Sequence, residues 1–105
     1  MSVDADASAP IPAALQDAFD AFADYQRLQL NRSQHTVRAY SGDLEQLGQW
    51  LADAGIARLD QVQLPDLRSW LASQHDAGLA AASLQRRSGA VRVFFRWANR
   101  QGLVD

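Results

Sequence analysis

Apolar residues recur along this chain at three- and four-residue steps in four separate stretches, and each stretch predicts an amphipathic helix. In the first, Leu15, Ala18, Phe19, Phe22 and Tyr25 line one face. Pro12 suits an opening turn, and Asp17 and Asp20 favour the positive end of the helix dipole, so this helix is expected over about residues 12 to 29. The polar break Asn31-Arg32-Ser33 follows, with Ser33 placed to cap a second helix by accepting a hydrogen bond from a free backbone N–H. Val37, Tyr40, Leu44, Leu47, Leu51 and Ala54 carry that helix to a stop at Gly55, while His35, Arg38, Gly42, Glu45 and Gln49 fall on its other side. Residues 56–63 read as a connector whose Ile56, Leu59 and Val62 plug into the core. Pro65 opens a third helix with an apolar stripe of Leu67, Trp70 and Leu71, and Gly78 ends it. The fourth, residues 79–102, places Leu84, Val91, Phe94, Phe95 and Ala98 on a packing side and Gln85, Arg86, Gly89, Arg92, Arg96 and Arg100 elsewhere. At about 20 residues it is a rod of roughly 30 Å.

No segment alternates with period two for long enough to make a strand, and no internal repeat is visible. The expected fold is therefore all-α, a compact four-helix bundle. Residues 1–11, small and acidic without periodicity, are expected to form a disordered tail, and residues 12–105 a single helical domain. A chain of 105 residues buries roughly two thirds of its unfolded surface, enough for a core without staples.

Cysteine is absent, which removes disulfides and thiolate chemistry and fits a reducing cytoplasm. No apolar run reaches the roughly 18 to 20 residues of a membrane span, and the N-terminus lacks the order of a signal peptide, so a soluble cytoplasmic protein without a membrane partner is expected. The formal net charge of -2 argues against a nucleic-acid partner if taken whole. Its distribution reverses that argument. Five of the twelve acids precede residue 25, leaving ten arginines against seven acids, a net of +3, in residues 25–105. Residues 80–102 alone hold five arginines and no acid, and residues 26–42 hold three arginines and no acid.

Candidate chemistry is otherwise sparse. His35 and His75 lie forty residues apart on different helices, with no Cys or Glu at ligand spacing, so no metal site is expected. Asp43 and Glu45, two residues apart on a helix, do not face one another and form no acid/base pair. Neither a nucleophile elbow nor a Gly-rich phosphate loop is present. Tyr25 and Tyr40 fall on packing stripes. No catalysis, cofactor or small-molecule ligand is expected of these residues.

The arginines admit two readings, a solvated surface or an anion-binding face. The acid-free stretches coincide with the starts of two helices, whose N–H groups favour phosphate. Small residues Ala81, Ala82, Ser83 and Gly89 interleave with the charges and permit close approach, and Ser33 and Thr36 add hydroxyls. His35, in the first turn of helix two, is placed either to touch a phosphate or simply to be solvated. On these grounds nucleic acid is favoured over an acidic partner protein.

Two separated motifs sharpen the choice. Ser33-x-x-Thr36-x-x-x-Tyr40-x-x-Asp43-Leu44 and the run Ala81-Ala82-Ser83-Leu84, Arg86, Gly89-Ala90-Val91-Arg92, Phe94-Phe95, Trp97 and Gln101-Gly102 resemble the N-terminal, SAM-like core-binding domain of tyrosine recombinases, most closely the XerC branch. The resemblance covers about residues 15 to 105. It implies half of a C-shaped clamp around duplex DNA, with helices two and four toward the major groove. It further implies a dif-like half-site as the DNA, a XerD-like paralogous recombinase as partner and an FtsK-like translocase as regulator of chromosome dimer resolution. The catalytic Arg, Lys, His-x-x-Arg and tyrosine set, which forms a 3'-phosphotyrosyl bond, lies in another domain of such enzymes, so the chain is expected to be a domain or truncated product of a longer enzyme. By this resemblance Ser33, Thr36 and Arg38 approach phosphates from helix two, and Ser83 and Arg86 stand at the DNA face of helix four. Arg86 is the expected base contact, since arginine presents two donors to guanine. Arg92 matches a recurrent family arginine, and could equally tie helix four to a neighbouring helix. With His35, Ala82 and Gln85 these complete the expected DNA-binding set. Ser88-Gly89 departs from the family, which more often has leucine followed by serine, and lightens the core stripe. A phage- or integron-type integrase domain and a helical domain with an acidic protein partner remain the alternatives.

Overall fold

The computed structural model describes residues 10–104. Four α-helices follow one another, α1 (Ala13–Leu28), α2 (Gln34–Asp53), α3 (Leu64–Asp76) and α4 (Ala81–Arg100), with one 3-10 turn at Leu59–Gln61 and no strand among the described residues. Ser33 caps α2: its Oγ accepts from the Thr36 N–H at 3.1 Å and donates to Thr36 Oγ1 at 3.0 Å. Asp66 closes the start of α3 by accepting from the Gln63 N–H at 2.8 Å. Gly55, Gly78 and Gly102 take φ of 80°, 92° and 76°, the left-handed geometry that ends the helices before them.

Amphipathic faces meet in one core. Leu15, Phe19 and Phe22 of α1, Leu44, Leu47 and Leu51 of α2, Trp70 of α3, and Val91, Phe94, Trp97 and Ala98 of α4 are all buried in it. Phe94 is its hub: its ring centroid lies 5.2 Å from Phe19, 5.4 Å from Phe22 and 5.9 Å from Trp97. Tyr25 and Tyr40 pack half-buried against the cluster, as their stripe positions require. The connector inserts Leu59 into the core, with Ile56 and Val62 against it. Gln61 Oε1 holds the turn by accepting from the N–H groups of Ala57 at 3.1 Å and Arg58 at 3.2 Å.

Two expectations need correction. Ile11, assigned to the tail, packs against the core. Methyl carbons of its side chain come within 3.3 Å of where a Cβ on Gly48 would stand, so the ordered domain starts before Pro12; the expected tail over residues 1–9 lies outside the described residues. Asp17 and Asp20 do not serve the dipole of α1, whose first turn contains no acid, because the helix opens at Ala13 and the effect fades beyond one turn.

Candidate nucleic-acid interface

The two acid-free helix starts belong to elements that pack directly on one another, α2 and α4. Their seam is closed by a buried carboxylate. Asp43, 1% exposed, accepts from Arg86 at both oxygens, Nε to Oδ2 at 3.0 Å and Nη2 to Oδ1 at 2.7 Å. Oδ1 also accepts from Arg87 Nε at 3.3 Å, and Arg87 Nη1 donates to Gln74 Oε1, so a single cluster joins α2, α4 and α3. The Arg86 guanidinium is held above its ordinary pKa by those hydrogen bonds first and by the Asp43 charge second. Of the two roles open to Arg92, the tie to a neighbouring helix is not made by an ion pair: Arg86 and Arg87 make that tie, and Arg92 has no ion pair among the described residues. Sequence spacing could not show this, because Asp43 meets its partners from 43 and 44 positions away.

Arg86 remains 48% exposed at its side chain although its Nε and one Nη2 hydrogen are engaged. Its other edge, Nη1 with the second Nη2 hydrogen, is left to meet an acceptor pair. Ala82 and Ser83 lie one turn before Arg86 on the same side of α4, and no side chain caps that helix start, leaving backbone N–H donors there. Thr36 lies seven residues, about 10 Å, before Asp43 on the same face of α2. Because Ser33 donates to it, the Thr36 hydroxyl keeps its own proton for an outside acceptor. His35 and Arg38 are exposed on the same first turns.

A second stripe runs along α4. Gln85, Gly89, Arg92 and Arg96 recur at four- and three-residue steps, and the charged and amide members are exposed without an ion pair. Arg96 was legible as part of it, four residues after Arg92, but lies outside the set of expected contacts. Ser88 and Arg92 also border an open cleft of about 300 Å³ between α3 and α4, with Leu64, Leu67, Leu71, Val91 and Phe95 among its walls. The light residue at 88 is one reason for that gap. No group of three His, Cys, Asp or Glu side chains among the described residues could hold a metal ion, and no helix there is long and apolar enough to cross a membrane.

The profile of the family described as phage integrase, N-terminal SAM-like domain, matches residues 19–102. The chain is 49% identical over 90 residues to a tyrosine recombinase XerC of Mycobacterium tuberculosis, covering 86% of this chain and 30% of that protein. With the Mycobacterium leprae tyrosine recombinase XerC the identity is 48% over 83 residues, 79% of this chain and 28% of the relative. The chain thus spans about 30% of the length of the curated relatives it matches. No solved structure gives a significant match.

Proposed function

The chain belongs to the phage integrase N-terminal SAM-like domain family, and from that premise we propose that it is the DNA-binding module of a XerC-like site-specific tyrosine recombinase. The observation that carries this reading is the disposition of arginines on α2 and α4. Those with acids in reach are paired, Arg86 and Arg87 on Asp43, whereas Arg38, Arg92 and Arg96 stand exposed and unpaired among the described residues, on helix faces without an acidic neighbour to neutralise them. Phosphates are the natural counter-charge for such a surface, and α4 adds uncapped N–H donors to it.

In this function the domain forms half of a C-shaped clamp on duplex DNA. Ser33, His35, Thr36 and Arg38 approach phosphates from α2, while Ala82 and Ser83 allow the start of α4 to come close to the duplex. Gln85, Arg86 and Arg92 face the groove, and Arg86 reads a base. The remainder of the parent enzyme supplies the tyrosine nucleophile and its 3'-phosphotyrosyl intermediate. The DNA is a dif-like half-site, the partner a XerD-like paralogue under an FtsK-like translocase, and the setting chromosome dimer resolution in the cytoplasm.

Fluorescence anisotropy with a labelled dif-like half-site and a scrambled duplex, each titrated at several salt concentrations, tests the proposal. Affinity should fall with salt on a log–log slope of about -3 to -4.5, equivalent to roughly three to five phosphate contacts. Preference for the half-site is expected. Absence of binding even at low salt would refute the reading and favour a helical domain that meets an acidic protein.

A further inference from the structure

Asp43 is an unusual group to find in the seam of two helices. A carboxylate 1% exposed must be hydrogen-bonded and paired, and replacing such a cluster by well-packed apolar residues is often neutral or stabilising. Packing alone therefore does not call for it. Its geometry does something an apolar side chain cannot: it takes the Nε–Nη2 edge of Arg86 in a two-bond fork, at 3.0 and 2.7 Å, and leaves the Nη1–Nη2 edge of this half-exposed side chain free of that carboxylate. A free arginine on a helix surface samples many rotamers and offers either edge. Held this way, Arg86 offers one edge in one direction.

Arg87 completes the device. Only 15% exposed at its side chain, it sits on the same carboxylate oxygen and on Gln74 of α3, so Asp43 cannot swing out with Arg86 when the surface meets an anion. Two guanidinium groups against one carboxylate leave the cluster with a net charge of +1, so the buried acid does not turn the surface against phosphate. We propose that Asp43 is a positioning residue for sequence reading: it grips Arg86 by its Nε–Nη2 edge and presents the opposite pair of N–H donors, already oriented, to the acceptor pair of a base edge. This rests on the DNA-binding reading above.

The test compares wild type and Asp43→Asn on the labelled half-site and on the scrambled duplex, with the salt slope measured for both. The amide keeps the shape but offers a donor where Arg86 needs an acceptor. Binding to scrambled duplex should stay within about twofold and the salt slope should not change, because the phosphate contacts remain. Preference for the half-site should fall about tenfold or more, the size of a lost two-bond base contact. Equal weakening on both duplexes, or full retention of preference, would overturn the role of Asp43; a wild type that binds no DNA would instead overturn the functional reading on which it stands.

A second measurement needs no variant. In the free wild-type protein the Nε–H of Arg86 should exchange with water far more slowly than that of Arg92, which has no partner among the described residues. Equal exchange rates at the two arginines would show that Arg86 is not held, and would sink the proposal even if Asp43→Asn failed to fold.

Discussion

Gly48 of α2 is packed tightly under Phe19 of α1 and Ile11, and adding one methyl group there tests the packing of the domain. A Cβ at this position would lie 2.8 Å from Cε2 of Phe19, and 3.2 and 3.3 Å from Cδ1 and Cγ2 of Ile11. Carbon atoms attract best at about 3.5 to 4.0 Å, so Phe19 would have to retreat. Its ring has little room, being edge-on to Phe94 with centroids 5.2 Å apart while Phe94 is 0% exposed. Overpacking of this kind costs about 1 to 3 kcal/mol, against a gain of about 1 kcal/mol for alanine over glycine inside a helix. Gly48→Ala is therefore expected to lose about 1 kcal/mol. Gly42 supplies the control: it lies on the same helix with nothing within 4 Å of its added Cβ, so Gly42→Ala should keep the full helical gain of about 1 kcal/mol. The two variants should differ by about 2 kcal/mol, which in a domain of this size is a separation of roughly 8 to 16 °C in Tm. Urea unfolding followed by circular dichroism and tryptophan fluorescence reads the difference, provided the m-value is unchanged. If Gly48→Ala proved as stabilising as Gly42→Ala, the close packing of Phe19 and Ile11 around this backbone would be wrong.

Ser88→Leu should stabilise the domain by about 1 to 2 kcal/mol, because a leucine would cover Leu67, Leu71, Val91 and Phe95 in the cleft between α3 and α4. A lower urea midpoint than the parent's would show that the cleft does not accept it. Asp60 should titrate in NMR below the ordinary aspartate value of about 3.9. Hydrogen bonds from Arg58, at 3.0 and 2.7 Å, lower its pKa and outweigh an opposing desolvation, with the Arg58 charge adding a lesser lowering. With the folded value depressed, the linked stability is present above the unfolded value and is lost as pH falls through the folded one. Arg58→Met should return the Asp60 midpoint to the ordinary value, and an unchanged midpoint would show that the pair does not form in solution.

Helices, their stops and the residues that fill the core follow from periodicity, because a helix with one apolar stripe has one way to bury it. Leu15, Phe22, Leu44, Leu51, Trp70 and Phe94 stand on such stripes, and all are buried. Ser33 could be recognised as a cap, and Gly55, Gly78 and Gly102 as stops, because those roles are set by local backbone geometry. The two acid-free arginine stretches were equally plain. What each arginine does was not, since that depends on which acid the fold brings near. Asp43 reads along α2 as an ordinary helical carboxylate, and becomes the anchor of Arg86 and Arg87 only when α4 is laid against it. The same holds for Gly48, whose small size has meaning only against Phe19 and Ile11, and for Ile11 itself, whose place in the core exists only because α1 and α2 leave room for it. The sequence alone determined four helices, their inward faces and an arginine-rich surface on two of them, through interactions a few residues in range. Tertiary structure decided which of those charges are locked and which are free, because a buried ion pair is made by helices meeting and leaves no period in the chain.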